Sequence, residues 1–307
     1  MIYKIGVMGL SDGNGHPYSW SAIFNGYSPK EMGKCIFPVI PKYLSEQKWP
    51  ESRITNAEVK GVWSQSKEIS KSIAKSSLIE NVYITKEELV DNSDLILLAR
   101  DDAENHYENA YYAINAKKPI FIDKPIALSL KDLERLYEVS HTSNQIFSCS
   151  SMSFCPTFSK LSNCLKDKRL KLIELTSPKS WKKYAVHLID PLIKNLRSSY
   201  LNCYSLKIVD KKESKLSSLL TLSLTTSNHK DPIIVRIITT GDKVGEIGFH
   251  ALNDKNRLIY KDHHRHPFDS FKGALETFLL NNSENHTGYK FDYDHHKEVV
   301  RILQAGI

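Results

Sequence analysis

Short apolar runs alternate with segments of mixed polarity over the first 125 residues. The apolar runs predict buried strands at residues 2–10, 57–63, 94–99 and 119–123. The segments between them predict helices at residues 19–27, 67–77 and 103–118. Strands that alternate with helices indicate a doubly wound parallel sheet with right-handed crossovers.

One stretch, residues 28–57, interrupts this alternation. It contains four prolines, Pro29, Pro38, Pro41 and Pro50. Since proline lacks a backbone N–H and fits poorly inside helices and strands, we expect an ordered loop here. A short helix is predicted within it, around the sequence KYLSEQ.

The pattern changes after Pro125. A helix is predicted at residues 129–141 and a strand at residues 145–151. Further strand-like runs follow without helices between them, at residues 171–176, 218–227, 232–240 and 245–252. Two helices are predicted after these, at residues 269–281 and 292–306. Consecutive strands indicate an open antiparallel sheet and an α+β second domain, so we place the domains at residues 1–125 and 126–307.

Composition restricts the class of protein. The 307 residues can form two domains, and 41% hydrophobic and 25% charged residues are typical of globular proteins. No apolar run approaches the roughly 18 residues of a membrane helix, and a strand pattern begins at once. We therefore expect a cytoplasmic protein without a signal peptide or membrane contact. The five cysteines show no C-x-x-C spacing, which favours free thiols over disulfides or zinc.

Neither the basic residues nor the histidines indicate a specialised site. The net charge of +7 is spread along the chain, which favours a solvated surface over a nucleic-acid interface. The histidines that are close in sequence have no acidic or cysteine partners at a ligand spacing; these are His263, His264, His266, His295 and His296. No metal site is therefore expected.

A glycine-rich stretch, MGLSDGNGHPYSW, follows the first predicted strand. Glycines between a strand and a helix allow a tight turn and close approach of a pyrophosphate to the helix N-terminus. Gly9 fits the first position of the G-x-G-x-x-G pattern, but Ser11 occupies the second, and Gly13 and Gly15 are out of register. By the motif alone, a dinucleotide loop and a plain turn are both open.

The end of the second predicted strand bears on cofactor choice. Ser64 follows Trp63 at the place where an acidic residue would bind the ribose of NAD. Without that carboxylate a 2′-phosphate is not repelled, and Lys67 is close in sequence. We expect NADP or NAD with NADP slightly favoured, unless Ser64 is only a loop residue.

The sequence LILLARDDAENHYENAYYAINAKKPIFIDKPIALSLKDLERL resembles the glucose–fructose oxidoreductase and inositol dehydrogenase (Gfo/Idh/MocA) family. His106 matches a family histidine early in a helix, and Asp123-Lys124-Pro125 matches the family tripeptide Glu-Lys-Pro with Asp for Glu. The resemblance implies a Rossmann domain followed by an open antiparallel sheet. It also implies an NAD(P)-dependent oxidoreductase.

The resemblance further implies roles for individual residues. Lys124 would bind the reacting oxygen between nicotinamide and substrate, and His187 would exchange the proton. The family pattern of an Asp, three residues and a His departs here, because Lys183 stands in place of the Asp. The residues expected at the substrate are Lys183, Tyr184, Asp190 and His266, with Asp190 able to orient His187 instead.

The cofactor is expected along the glycine-rich loop and the adjacent strand ends. Gly9 makes the turn, residues 11–15 cross the pyrophosphate, and His16 with Pro17 opens the helix. The complete set of expected cofactor residues is Gly9, Ser11, Gly13, Gly15, His16, Trp63, Ser64, Ala99, Arg100, His106 and Asp123.

These features predict an enzyme that transfers hydride between nicotinamide and a hydroxyl or keto group of a sugar or sugar derivative. Nucleotide-linked sugars of surface-glycan synthesis are one option. The alternative is a sensor or regulatory protein that binds the cofactor without turnover, which Lys183 in place of Asp favours. The resemblance to the family also implies a homodimer or homotetramer that forms through the C-terminal sheet. Substrate identity and reaction direction stay open.

Overall fold

A six-stranded parallel sheet forms the first half of the protein. The computed structural model describes residues 2–200, 203–214, 217–241, 245–255, 257–263, 267–282 and 288–307. The strands of the first sheet are β1 (Tyr3–Met8), β2 (Ala57–Trp63), β3 (Asn81–Val82), β4 (Leu95–Leu98), β5 (Ile120–Ile122) and β6 (Ile146–Phe147). Their order, β3-β2-β1-β4-β5-β6, is that of the Rossmann fold, and the predicted doubly wound sheet is confirmed.

Sequence reasoning missed three strands, β3 in this sheet and the two edge strands of the second sheet described below, Tyr204–Glu213 and Leu258–His263. β3 has only two residues, too few for an apolar run to be visible. The strand predicted at residues 145–151 is β6, which pairs with β5 in the first sheet. That sheet therefore extends beyond the boundary that we place at residue 125.

Helices cover the parallel sheet on both faces and the second sheet on one. In chain order they are α1 (His16–Asn25), α2 (Pro29–Met32), α3 (Val39–Ser45), α4 (Lys67–Ser76), α5 (Lys86–Asp91), α6 (His106–Asn115), α7 (Leu130–Glu138), α8 (Pro156–Ser159), α9 (Leu161–Leu165), α10 (Trp181–Tyr184), α11 (Val186–Tyr200), α12 (Pro267–Asn281) and α13 (Tyr293–Ala305). Among the described residues, no helix is long and apolar enough to cross a membrane.

The second sheet is mixed. Its strands are β7 (Leu170–Ser177), β8 (Tyr204–Glu213), β9 (Ser218–Thr226), β10 (Ile233–Thr239), β11 (Gly248–Asn253) and β12 (Leu258–His263), in the order β12-β11-β7-β10-β9-β8. The expected antiparallel sheet is thus confirmed except at its centre, where β7 and β10 run parallel. Parallel neighbours need a crossover connection, and the chain between them includes α11.

The two halves share helices from the C-terminal part. Phe278 of α12 packs against Phe121 and Phe147 of the first sheet, with ring centroids 5.6 and 5.7 Å apart. α13 contacts both α7 and α11. Arg197 of α11 forms two hydrogen bonds with Asp292 at the start of α13, at 2.7 and 3.2 Å. The relative position of the two sheets is therefore fixed by packing and by a bidentate ion pair.

Gly9 allows α1 to approach the end of β1. A Cβ atom at Gly9 would lie 2.2 Å from Cγ of Pro17, which is inside van der Waals contact. We expect Gly9→Ala to lower the free energy of unfolding by about 1–3 kcal/mol, because the helix must move away from the strand. Urea unfolding measures this.

Gly245→Ala is the matched control for this substitution. A Cβ at Gly245 would meet nothing nearer than 3.6 Å, so its free energy of unfolding should change by less than about 0.5 kcal/mol. Equal effects of the two alanines would contradict the close contact at Gly9.

Candidate functional site

A cleft lies at the carboxyl edge of the parallel sheet, where Rossmann folds bind their ligands. Its volume is about 320 Å³, within the range of small-molecule sites. Its walls come from the glycine-rich loop, α3, the end of β5, α11 and the start of α12. The lining residues used below are Gly13, Asn14, Gly15, His16, Phe37, Ile40, Tyr43, Asp101, Lys124, Lys179, Tyr184, His187 and Phe271.

The glycine-rich loop is shaped by Gly13 and Gly15. Gly13 has a φ of +76°, a conformation that L residues with side chains rarely adopt. A Cβ at Gly15 would lie 2.5 Å from Cδ1 of Ile40 and 2.8 Å from the ring of Phe37. Gly13 therefore permits the turn, and Gly15 permits α3 and the residues before it to pack over the loop.

Backbone N–H groups in this loop are available to a ligand. Those of Asp12, Gly13 and Gly15 donate to no atom of the described residues. The N–H of His16 at the start of α1 is already used, because the side-chain oxygen of Asn14 accepts it at 2.8 Å. Free amides beside a helix N-terminus suit a phosphate or pyrophosphate. The loop residues therefore fit the dinucleotide that the resemblance implies.

Ser11 joins the ends of β1 and β4, where the strand order reverses. Its hydroxyl donates to Oδ1 of Asp101 at 2.8 Å and accepts the Asp101 backbone N–H at 3.0 Å. Both side chains are largely buried. Ser11 thus acts through Asp101, a residue that was not predicted, and fixes the orientation of that carboxylate.

Two lysines approach the Asp101 carboxylate from different sides. Nζ of Lys124 lies 3.7 Å from Oδ2, and Nζ of Lys183 lies 3.5 Å from Oδ1. The Lys124 side chain is only 8% exposed, so its charge requires a partner. Lys183, which is 44% exposed, also donates to the backbone oxygen of Asp12 at 3.4 Å. Asp101 therefore balances the charge of the lysine expected to bind the reacting oxygen.

Asp123 is turned towards the glycine-rich loop. Its Oδ2 lies 2.6 Å from Nδ1 of His16 and accepts from the Asn14 amide at 2.7 Å, while Oδ1 accepts the Lys124 backbone N–H at 2.7 Å. Burial alone would raise the pKa of Asp123, but the neighbouring His16, Lys124 and Asn14 lower it to about 2. Asp123 therefore stays ionised, and its contacts are with the protein.

His187 faces the same cleft from the first turn of α11. Its Nδ1 lies 2.8 Å from the Ser150 hydroxyl, and its ring meets that of Tyr184 edge-on with centroids 5.2 Å apart. Six of the residues singled out in the sequence line this one cleft: Lys124, His187, Tyr184, His16, Gly13 and Gly15.

Asp190 lies outside the cleft. Oδ1 is 2.8 Å from Nε2 of His295, and Oδ2 accepts from the Ser150 backbone N–H at 3.0 Å and from the Ser153 hydroxyl. It is buried and reaches neither His187 nor the cleft directly. Residues 187 and 190 lie on the same side of a helix, and Ser150 connects them: its N–H donates to Asp190 and its hydroxyl faces Nδ1 of His187. Asp190 does not line the cleft, and its contact with substrate stays a prediction.

Several expected cofactor residues make contacts within the protein. The Ser64 hydroxyl donates to the Ser66 oxygen at 2.8 Å, and Trp63 Nε1 donates to the Ile84 oxygen at 3.1 Å. The geometry of Ser64 therefore fits the alternative that it is only a loop residue. Arg100 pairs with Asp102 through two hydrogen bonds at 2.6 and 2.9 Å.

The remaining expected cofactor residues, His106, Gly9 and Ala99, also make contacts within the protein. The buried ring of His106 places Nε2 2.8 Å from the Arg100 oxygen and Nδ1 3.0 Å from the Ile126 oxygen. It thereby links the loops after β4 and β5. Gly9 follows β1 and Ala99 follows β4. The two residues are adjacent, because the Ala99 oxygen lies 3.5 Å from the position that a Cβ at Gly9 would take.

Of the histidines late in the chain, the structure describes His263, His295 and His296. His295 and His296 are buried, and Nε2 of His296 lies 2.8 Å from the Ser148 oxygen. His263 pairs with Glu246 at 3.0 Å. His264 and His266, with the substrate contact predicted for His266, lie outside the described residues. Over the described ranges, no group of three metal-ligating side chains occurs.

Sequence reasoning missed Asp101, Asn14 and the wall formed by Phe37 and Ile40. Polar residues directly after a strand at the sheet's reversal point are a signal that could have indicated Asp101. The wall residues belong to the proline-rich insert, and no local pattern shows where such an insert packs. Asn14 could have been found as a turn residue, since an Asn side chain commonly accepts the backbone N–H two residues on, as it does here from His16.

A family model matches part of the chain. Residues 42–151 match the Gfo/Idh/MocA family model, described as an oxidoreductase family with an NAD-binding Rossmann fold. This range includes Lys124 and excludes both the glycine-rich loop and His187. No curated protein matches the sequence significantly.

Solved structures match over nearly the whole chain. A myo-inositol 2-dehydrogenase from Lactobacillus plantarum has a TM-score of 0.65 at 13% identity, over 99% of this chain and 96% of its own. A Gfo/Idh/MocA family oxidoreductase from Vibrio cholerae has a TM-score of 0.64 at 12% identity, over 99% and 96%. A myo-inositol dehydrogenase from Corynebacterium glutamicum has a TM-score of 0.64 at 11% identity, over 99% and 95%.

At such identities the structures establish the fold, and the family model supplies the sequence link. The resemblance inferred from the sequence is confirmed for residues 42–151, which match the Gfo/Idh/MocA family model, and the chain as a whole has the fold of the Gfo/Idh/MocA family oxidoreductase from Vibrio cholerae.

Proposed function

We propose that this protein is an NAD(P)-dependent oxidoreductase that transfers hydride between nicotinamide and a hydroxyl or keto group of a sugar or sugar derivative. The observation that carries the proposal is the shared cleft of Lys124 and His187 beside the glycine-rich loop. An ammonium, an imidazole and free backbone amides are the groups that such a transfer requires.

The loop residues would hold the dinucleotide. The N–H groups of Asp12, Gly13 and Gly15 can donate to its phosphates, with the N-terminus of α1 adding a favourable dipole. When bound, the nicotinamide supplies the hydride donor or acceptor. Ser11 and Asn14 keep the loop in shape through Asp101 and Asp123.

Lys124 would bind the reacting oxygen. Its ammonium is nearly buried, where a charge interacts more strongly than in water, and Asp101 holds it in place at 3.7 Å. A cation at this position stabilises negative charge on the oxygen during hydride transfer. His187 would take or return the proton of that oxygen.

The cleft suits a molecule of sugar size. Its volume of about 320 Å³ agrees with a small ligand. Phe37, Tyr43 and Phe271 line it with apolar surface suited to the apolar side of a sugar, while Lys124, Lys179 and His187 line it with polar groups suited to hydroxyls. Whether the sugar is nucleotide-linked depends on groups beyond this cleft.

Both NADP and NAD fit the end of β2. Ser64 replaces the carboxylate that would repel a 2′-phosphate, but its hydroxyl is used by the Ser66 oxygen at 2.8 Å. The absence of repulsion therefore supports NADP more than any contact from Ser64 does.

Assembly and compartment are further parts of the proposal. No disulfide joins the five cysteines, all of which lie in the described residues, and this agrees with a reducing cytoplasm. On the second sheet, the side chains that alternate with the core face lie open, including Ile234 at 37% exposure. An open, partly apolar sheet face supports a homodimer or homotetramer through this sheet.

A cofactor-binding sensor without turnover is the second candidate. It is favoured by Lys183, which stands where the family has an Asp and whose Nζ lies 3.5 Å from Asp101. NADPH fluorescence reports binding, and a screen of keto-sugars for NADPH oxidation reports turnover. Binding without turnover of any keto-sugar would favour the sensor.

We expect Lys124→Met to reduce kcat at least about 100-fold, because the cation at the reacting oxygen is lost. Methionine keeps the apolar stem, and NADPH binding should persist since the loop is untouched. Lys171→Met is the control, because Lys171 also pairs with an aspartate, Asp231 at 2.7 Å, but lies on the second sheet. Full activity of Lys124→Met would refute the assigned role.

We expect Gly13→Val to weaken NADPH binding at least about tenfold with the fold intact. No atom lies within 4 Å of a Cβ at Gly13, so space is available, but its φ of +76° forces the loop to rearrange at a cost of about 1–3 kcal/mol. Fluorescence titration and circular dichroism measure the two quantities.

Gly245→Val should leave NADPH binding unchanged, because this glycine lies outside the loop. Gly15→Val is less informative, since it would also push against Phe37 and Ile40. Unaltered binding in Gly13→Val would mean that the loop is only a turn.

A further inference from the structure

We propose that His16 and Asp123 form a second acid–base pair in the cleft, in which Nε2 of His16 exchanges a proton with the substrate hydroxyl and shares this task with His187. This inference rests on the proposed hydride transfer, and it assigns to His16 a role that neither the motif nor the family pattern gives it. Asp123 is the positioning residue of the pair.

The ring of His16 is held in one orientation. Its Nδ1 lies 2.6 Å from Oδ2 of Asp123. One face stacks on Trp20, with centroids 4.8 Å apart and planes at 14°, and Phe271 meets it edge-on at 5.1 Å. The side chain is 16% exposed and lines the cleft together with Lys124.

The partners of Asp123 determine which nitrogen carries the hydrogen. An ionised carboxylate can only accept hydrogen bonds, and the low pKa of Asp123, about 2 despite burial, keeps it ionised. Nδ1 of His16 must therefore donate. In the neutral ring Nε2 then bears the lone pair, and it bonds to no atom within the described part of the chain.

The same argument does not apply to His187. Its Nδ1 faces the Ser150 hydroxyl at 2.8 Å, and a hydroxyl can donate as well as accept. Either tautomer of His187 is compatible with this partner. The Asp123 carboxylate, unlike a hydroxyl, therefore fixes the lone pair of its histidine partner, His16, at Nε2.

Charged and titratable groups reach the cleft from each element around His16. Lys124 follows Asp123 at the end of β5, Asp101 follows β4, and Tyr43 belongs to α3. Tyr184, His187 and Lys179 face it from α10, α11 and the segment before them. Within the described residues, Asp123 is the titratable group that forms a hydrogen bond with the His16 ring.

The proton balance is simple. In the oxidation direction the substrate O–H bond breaks and its one proton passes to whichever of the two histidines acts in that turnover, at Nε2 when it is His16, while the C–H electron pair leaves as hydride to the nicotinamide dinucleotide and C=O forms. The resulting His16 imidazolium is stabilised by the Asp123 carboxylate at 2.6 Å. Reduction reverses each step.

The tautomer can be measured without cofactor or substrate. Two-bond ¹H–¹⁵N NMR of the full chain above the titration range should show His16 with hydrogen on Nδ1 alone, the signal being identified by its loss in His16→Asn. Asp123→Asn should release the second tautomer, since an amide can donate or accept. Asp123→Glu should restore the first. An Nε2–H tautomer in the native protein would overturn the pair.

Kinetics test the proton exchange itself. The Asn amide of His16→Asn can replace Nδ1 as donor to Asp123 but offers no base at the position of Nε2. We expect kcat to fall about 100-fold or more, with NADPH binding retained and KM changed less than about threefold. His141→Asn is the control, because His141 lies exposed on the surface.

The outcomes separate this inference from the proposed function. If His16→Asn retains turnover within about threefold of the native protein, His16 does not exchange the proton, although the enzyme assignment stands. If the native protein binds NADPH without turnover, the oxidoreductase proposal and the proton exchange both fail. The tautomer measurement then still decides whether the Asp123–His16 pair exists.

Discussion

The Asp123 carboxylate is a buried charge, and the arrangement around the cleft follows from the need to satisfy it. An uncompensated buried carboxylate costs several kcal/mol, so its oxygens must meet donors. Those donors are His16, Asn14 and the Lys124 backbone N–H. Through Asn14 the carboxylate controls the start of α1, and through its own backbone it places Lys124. One charge thus links the loop, a helix terminus and the expected reactive lysine.

The parallel sheet could be predicted because buried strands read as continuous apolar runs, as in the fully buried β4. β8 could not, since it is mostly exposed and polar and derives its strand conformation from pairing with β9. The parallel register of β7 and β10 is a long-range property with no local signal.

Within the site, the sequence predicted where some side chains lie but not which partners the buried polar side chains contact. Lys124 and His187 were predicted and lie together, since a resemblance carries information on position. The contacts of Ser64, His106 and Asp190 were not predicted, because a buried polar side chain takes whichever partner the fold brings near. Asp101 was missed for the same reason. It is the partner of Lys124 in space but lies 23 residues away from it in the sequence.

The crossover between β7 and β10 has a consequence for folding order. These central strands are adjacent in space, yet the hairpin of β8 and β9 and the whole of α11 lie between them in the chain. Non-local pairing of this kind is slow to form. His187 lies in the first turn of that intervening helix, so this wall of the cleft forms only when the second sheet closes. The glycine-rich loop can form earlier, from contacts made within the Rossmann half.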